Sequence, residues 1–143
     1  MNFLLDTSVV SELVKPVPNP GVLEWLGQCD EDNLFLSVLT VGEFEKGIAK
    51  LADSRRRARL VGWVRKDLVS RFGERLLSID LGVAARWGSL AGESERRGRP
   101  LPVMDSLIAA TCLVHGLIAA TRNRVDFERC GVECYDPWTA ERA

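Results

Sequence analysis

Short apolar runs alternate with longer stretches in which apolar residues recur every three or four positions. The runs are residues 2–5, 34–37, 76–79, 117–121 and 132–135, each bounded by polar or turn-forming residues, and they predict five short strands. Residues 7–14 form a short helix stopped by Pro16, Pro18 and Pro20. Asn19-Pro20 then starts a helix over 21–28, with Asn capping and Pro in the first helical position. Val41, Phe44, Ile48 and Leu51 share a face of a helix over about 39–52, and Leu60, Val61, Val64, Leu68 and Phe72 share a face of another over about 54–72. Asp80 caps a helix over 81–97, which Gly98 and Pro100 break. Residues 106–115 form a strongly apolar helix ended by Gly116, residues 122–129 a loop with at most a helical turn, and Asp136-Pro137-Trp138 a terminal turn.

The strands read as continuous apolar runs, and helices separate them. That pattern predicts an α/β fold, an α/β/α sandwich whose central parallel sheet of about five strands is covered by helices on both faces. No repeat or linker interrupts the chain, so its 143 residues are expected to form a single domain over 1–143.

Charge changes this picture little in sum and more in detail. Nineteen basic residues against twenty acidic ones give a net charge of −1, so no overall basic field points to nucleic acid. No segment approaches the length of a membrane span, and an acid interrupts the first apolar run at Asp6, so neither a membrane protein nor a signal peptide is expected; the expectation is cytoplasmic. Cys29, Cys112, Cys130, Cys134 and the single histidine His115 are a poor set for zinc, and reduced, buried thiols are the simpler reading.

Four acidic segments carry the candidate chemistry: Leu4-Leu5-Asp6-Thr7-Ser8, Thr40-Val41-Gly42-Glu43, Val103-Met104-Asp105-Ser106 and residues 121–127 around Asn123 and Asp126. In a parallel sheet, ligands bind outside the carboxyl ends of the strands. Asp6 and the 121–126 segment lie at such ends, Glu43 in the first turn of the helix after the second strand, and Asp105 at the start of the helix before the fourth. Converging carboxylates form a hard oxygen site suited to Mg²⁺ or Mn²⁺. Such an ion offsets charge on a phosphodiester and lowers the pKa of a water. Each acid also has a structural reading. Asp6 can cap a helix, Thr40 and Glu43 can form a capping box, Asp105 can complement a helix dipole, and Asp126 can be a loop surface charge. Thr7 and Thr121 can orient a phosphate or a water, or satisfy local backbone.

In the segments 5–12, 36–43, 105–111 and 120–127, with Pro137-Trp138 near the end, the chain resembles the PIN (PilT N-terminus) domain ribonucleases. The likeness is to the VapC-type toxins of bacterial toxin–antitoxin pairs, closest to the FitB-like subgroup. The resemblance implies a Rossmann-like sandwich, Mg²⁺- or Mn²⁺-dependent endoribonuclease activity that inhibits translation, a VapB-type antitoxin partner and a homodimer. It assigns Asp6, Glu43 and Asp105 to the metal site and to catalysis. Many members carry Asp where this chain has Asn123, and Asp126 matches a second acid of that loop, so the resemblance adds both to the metal set and Asp126 to catalysis: either Asn123 is a weaker ligand, or Asp126 or a water takes over. The antitoxin is expected in an apolar groove formed by Val9, Val10, Leu13, Val14 and the 41–52 helix.

Between Lys46 and Arg71 nine basic residues face only Asp53 and Asp67, a basic face for RNA phosphates or a solvated helix surface. Arg96, Arg97 and Arg99, and Arg122 and Arg124, flank the acidic segments and suit the same task. Trp25, Trp63 and Trp87 are expected to pack rather than stack on bases. Two other phosphate chemistries fit poorly. A haloacid-dehalogenase-type enzyme needs an acid where Ser8 stands, and a receiver domain would need an acidic pair and a Lys to accompany Asp80. A non-catalytic PIN-like protein that binds RNA or a partner is the remaining alternative, and Asn123 is what favours it.

Overall fold

The computed structural model describes the backbone of residues 1–142 and the side chains of residues 1–140. Six strands form one sheet: β1 (Phe3–Leu5), β2 (Leu34–Ser37), β3 (Leu76–Leu77), β4 (Ile118–Ala120), β5 (Cys134–Asp136) and β6 (Glu141–Arg142). Their order is β3-β2-β1-β4-β5-β6, parallel throughout except for the antiparallel β5–β6 pair. The five expected strands are the parallel ones, and β6 is additional. The helices are α1 (Thr7–Glu12), α2 (Pro20–Gln28), α3 (Val38–Ala49), α4 (Arg55–Gly62), α5 (Val69–Phe72), α6 (Leu81–Arg96), α7 (Val103–His115) and α8 (Arg124–Arg129).

Side-chain alternation along the strands divides the core into two layers, because successive residues point to opposite faces. Phe3, Leu5, Leu34, Leu36, Ile118 and Ala120 face one layer with Val9, Val10, Val22, Leu68 and Phe72. Leu4 and Ala119 face the other, with Ile108, Ala109, Cys112, Phe127 and Cys134. Burial on both faces is why these strands read as unbroken apolar runs.

Several boundaries differ from expectation. Ser54 is the cap and residues 55–72 are helical throughout, but Trp63–Leu68 between α4 and α5 is a π-helical segment. Val64 and Leu68 remain buried there, so the apolar stripe survives the wider turn. The helix expected over 106–115 begins at Val103, directly after Pro102. Residues 124–129 are a helix rather than a loop, so Asp126 lies in a first helical turn. Thr40 is not a cap: Ser37 caps α3 by accepting from the Leu39 amide at 3.0 Å. Glu43 is therefore the sixth helical residue, a turn beyond its expected place, and the capping-box reading fails. Asp80 does cap α6, accepting from the Val83 amide at 3.0 Å. Gly116, at φ +65°, ends α7 in the left-handed conformation that glycine adopts without strain.

Candidate active site

The strand order reverses direction between β1 and β4, the point at which an open parallel sheet has a crevice beyond its strand ends. Asp6 follows β1 and Thr121 follows β4, so they face each other across that crevice. The Asp6 carboxylate accepts from the Thr7 amide at 2.9 Å, from the Ser8 hydroxyl at 3.0 Å and from the Thr121 hydroxyl at 2.8 Å. It is thus both the cap of α1 and a fixed member of the cluster. Three donors satisfy this buried carboxylate.

Glu43 reaches the crevice from α3, which runs back from the end of β2. The Thr7 hydroxyl donates to it at 2.7 Å and lies 3.0 Å from the hydroxyl of fully buried Thr40. Thr7 therefore joins α1 to α3.

Asp105 arrives by the geometry of a crossover. A helix that precedes a parallel strand runs antiparallel to it, so the N-terminus of α7 lies at the carboxyl edge of the sheet. The first turn of α7 is tied to α6. The Trp87 indole donates to the Ser106 hydroxyl at 2.9 Å, and that hydroxyl donates to the Val103 carbonyl at 2.9 Å. Burial, then the charges of Asp6, Asp126 and Glu43 in that order, push the pKa of Asp105 up to about 6, and a hydrogen bond from Asn123 pulls the other way. The Asp105 carboxyl thus feels all three of the other acids.

Asn123 sits between two of them. Its amide nitrogen donates to Asp105 at 3.1 Å and to Asp126 at 3.0 Å, while its backbone N–H donates to the Thr121 hydroxyl at 2.9 Å. The bonds run continuously from Asp6 through Thr121 and Asn123 to Asp105 and Asp126. The structure thus brings Asp6, Glu43, Asp105, Asn123, Asp126, Thr7 and Thr121 to one edge. Among the described residues, however, no three His, Cys, Asp or Glu side chains already stand at shared metal-ligating distance.

The expected substrate contacts separate. Thr121 is fully buried and its hydroxyl is used on both sides within the protein, so it positions Asp6 and the 123 loop and touches nothing outside. Arg122 is exposed, and its guanidinium lies 4.6 Å from the centroid of the Trp138 ring. The basic stretch is less free than its composition implied. Arg65 forms a paired contact with Glu45, Arg71 pairs with Glu31, and Arg57 donates to the Ile48 carbonyl. The sequence placed those acids on other elements and so outside the count. Trp25 packs against Phe3 and Tyr135, and Trp63 against Phe44, as expected of packing aromatics.

Val9 and Val10 point into the core and line no groove. A groove of about 870 Å³ does run between α1, α3 and α4, lined by Val14, Phe44, Ile48, Leu51, Leu60 and Trp63 among others, and it opens at Thr7 and Glu43. Lys15, Arg56 and Arg59 line it as well.

One residue of this neighbourhood went unassigned in the sequence. Glu12 is buried at the end of α1, accepts from the Asn19 amide at 2.9 Å and pairs with Lys15. The Lys15 ammonium, with the Asn19 amide and the charge of Arg122, holds its carboxyl below the usual range against the effect of burial. Its neighbour Pro16 gave the only signal, by marking a sharp turn that something had to hold.

Comparison with known proteins agrees with this architecture. The family profile described as PIN domain matches residues 3–132. The VapC ribonuclease Y4jK of Sinorhizobium fredii is 32% identical over 94% of this chain and 96% of its own length. Toxin FitB of Neisseria gonorrhoeae is 33% identical over 94% of this chain and 97% of its own. In the structure of FitAB bound to the IR36 DNA fragment, a chain 32% identical superposes with a TM-score of 0.90 over 97% of each chain. With the family profile matched over residues 3–132 and relatives above 30% identity along nearly the whole chain, the chain belongs to the PIN domain family.

Proposed function

We propose that this protein is a divalent-metal-dependent endoribonuclease, the toxin of a type II toxin–antitoxin pair, which cleaves RNA and so inhibits translation, and that residues 1–143 form a single PIN domain. The observation that carries the reading is the convergence of Asp6, Glu43, Asp105 and Asp126 on the crevice between β1 and β4. The names of the relatives, a VapC ribonuclease and a toxin, support it.

The residues at the crevice fit a hard cation. All their donors are oxygens, apart from the Asn123 amide nitrogen that bridges Asp105 and Asp126. Burial first, and then the charges of the neighbouring acids, raise the pKa of Asp105, and a cation relieves the repulsion among those acids. Asp6 and Asp105 would hold Mg²⁺ or Mn²⁺ directly. Asn123, turned to present its amide oxygen, or Asp126 would complete the set. When bound, the ion supplies positive charge for the phosphoryl oxygens and acidifies a nearby water. Glu43, fixed by Thr7, stands as a second ligand or as the base that takes a proton from the attacking water. Ser8 and Thr121 hold the Asp6 carboxylate in place.

The α1–α3–α4 groove suits the apolar face of a VapB-type antitoxin segment, which would lie beside the acidic centre and close it. The assembly of the FitB relative as FitAB supports a second chain of this kind. Homodimerisation belongs to the same proposal. One observation favours a non-catalytic RNA- or partner-binding protein instead: the uncharged amide of Asn123 occupies an oxygen of each of two carboxylates by donating to both.

The function is tested by adding purified protein, free of antitoxin, to a cell-free translation reaction. Translation is expected to stop with fragmentation of an RNA component, and D105N is expected to leave both unaffected. A folded wild-type protein that inhibits nothing and fragments nothing supports the binding reading.

A further inference from the structure

Beside the acidic centre, and meeting the apolar groove at Glu43 and Gly47, lies a hollow of about 350 Å³. Its lining is Gly42, Glu43, Lys46, Gly47 and Lys50 from α3 and the following residue, with Met104 from α7 opposite. Glu43 belongs to the acidic centre and Met104 is the neighbour of Asp105, so the hollow opens directly onto the proposed site of cleavage.

We infer that this hollow seats one nucleotide of a single RNA strand next to the scissile phosphate, with Lys46 and Lys50 on its phosphates and Met104 against the face of its base. Four features support the assignment. Glu43, Lys46 and Lys50 are spaced by three and four residues, so one face of α3 presents a carboxylate to the centre and two ammonium groups beyond it. Both lysines are exposed, and neither forms an ion pair among the described residues, unlike Arg65 and Arg71 on the helix that follows. Gly42 and Gly47 interrupt the middle of α3, where glycine disfavours the helix. A Cβ at either would meet no atom of this chain within 4 Å, so the space they leave is not needed for packing within the protein. Met104 is 38% exposed, an apolar thioether on the rim of an otherwise charged edge, and such a side chain adapts to a flat ring. The volume lies near the lower end for ligand pockets, about 300–1,000 Å³, which suits one nucleotide and not a duplex.

The charge pattern also resolves a difficulty of the acidic centre. An RNA strand is repelled by four carboxylates, and two lysines one to two helical turns away draw the flanking phosphates in. This inference rests on the nuclease reading for the identity of the strand, and its test separates the two. Binding of a fluorescent single-stranded oligoribonucleotide is measured by anisotropy in the D105N background, alone and with K46A/K50A or with G42L, which fills the hollow. Cleavage of the same oligonucleotide and of bis(para-nitrophenyl) phosphate, which occupies only the acidic centre, is measured with Asp105 intact. Both substitutions are expected to weaken binding roughly tenfold at 0.1 M salt, and the lysine pair to reduce the log–log salt slope by about 1.4, the value for two contacts to a single strand. Hydrolysis of the small diester is expected to stay unchanged. RNA binding unaltered by either substitution overturns the inference, whatever the cleavage assay shows. So does an equal loss on both substrates. Binding that depends on the lysines without cleavage by the wild type leaves the hollow in place and overturns the nuclease.

Discussion

Thr121 shows how much of the site depends on one hydroxyl. It donates to Asp6 and accepts from the Asn123 amide, so it sets both halves of the acidic edge from a fully buried position. Thr121→Val keeps the shape and removes both bonds. It is expected to cost about 1–3 kcal/mol in a urea melt, since the buried Asp6 carboxylate and the Asn123 N–H each lose a partner; a loss below about 0.5 kcal/mol refutes the positioning role. Asn123→Asp adds a fifth carboxylate to the crevice, beside Asp105 and Asp126. In EDTA it is expected to lower the melting temperature, and Mn²⁺ is expected to raise it by more than in wild type; an equal shift in both proteins contradicts a ligand position at 123. Asp105 gives a pH signature. Its folded pKa is raised to about 6 from 3.8, so between those values the folded state holds more protons than the unfolded one. Its contribution to stability therefore falls as pH rises through that window and stays low above it. Metal-free D105N is expected to equal wild type near pH 3.5 and to exceed it by roughly 1–2 kcal/mol at pH 7; parallel stability curves contradict the crowding. Asp6, Glu43 and Asp105 were legible as acids near strand ends. The role of Thr121 was not, because a threonine there looks the same whether it serves backbone or a carboxylate.

At the scale of elements, the informative piece is α7. Its start was read three residues late, since Pro102 offers no side-chain cap and the apolar run only strengthens at Ser106. The true start gives Asp105 a full first turn to stand in, and the bond from Trp87 to Ser106 fixes that turn against α6. Trp87→Phe keeps the ring and removes the bond. It is expected to destabilise by about 1 kcal/mol and to lower kcat more than it raises KM, because it moves Asp105 without touching RNA. Unchanged kcat in a folded variant refutes the link. The capping-box reading of Thr40 and Glu43 failed for a physical reason. Ser37 three residues earlier took the cap, which buried Thr40 and freed Glu43 for Thr7. The π-helical segment at Trp63–Leu68 left no mark in the sequence, because the buried Val64 and Leu68 satisfy either helical period.

Across the whole molecule, the alternation of strands and helices announced a parallel sheet, and unbroken apolar strands announced two covered faces. Strand order was not legible. It depends on which crossovers pack best, and it is what sets β1 beside β4 and Asp6 beside Thr121. The net charge of −1 hid an acidic crevice and, on the same edge, two lysines without an ion pair among the described residues. The arrangement makes sense for a protein that must attract an anion to a site that repels it until a cation binds. Arg65 and Arg71, by contrast, were drawn into ion pairs that only the folded chain reveals.

The central claim is tested most directly by incubating one labelled oligoribonucleotide mixture with antitoxin-free protein in Mg²⁺, in Mn²⁺ and in EDTA, beside D6N and D105N. Discrete cuts in either metal, absent in EDTA and in both variants, are the predicted result. Equal cutting in EDTA, or by folded D6N and D105N, would contradict a metal-dependent site built on these carboxylates.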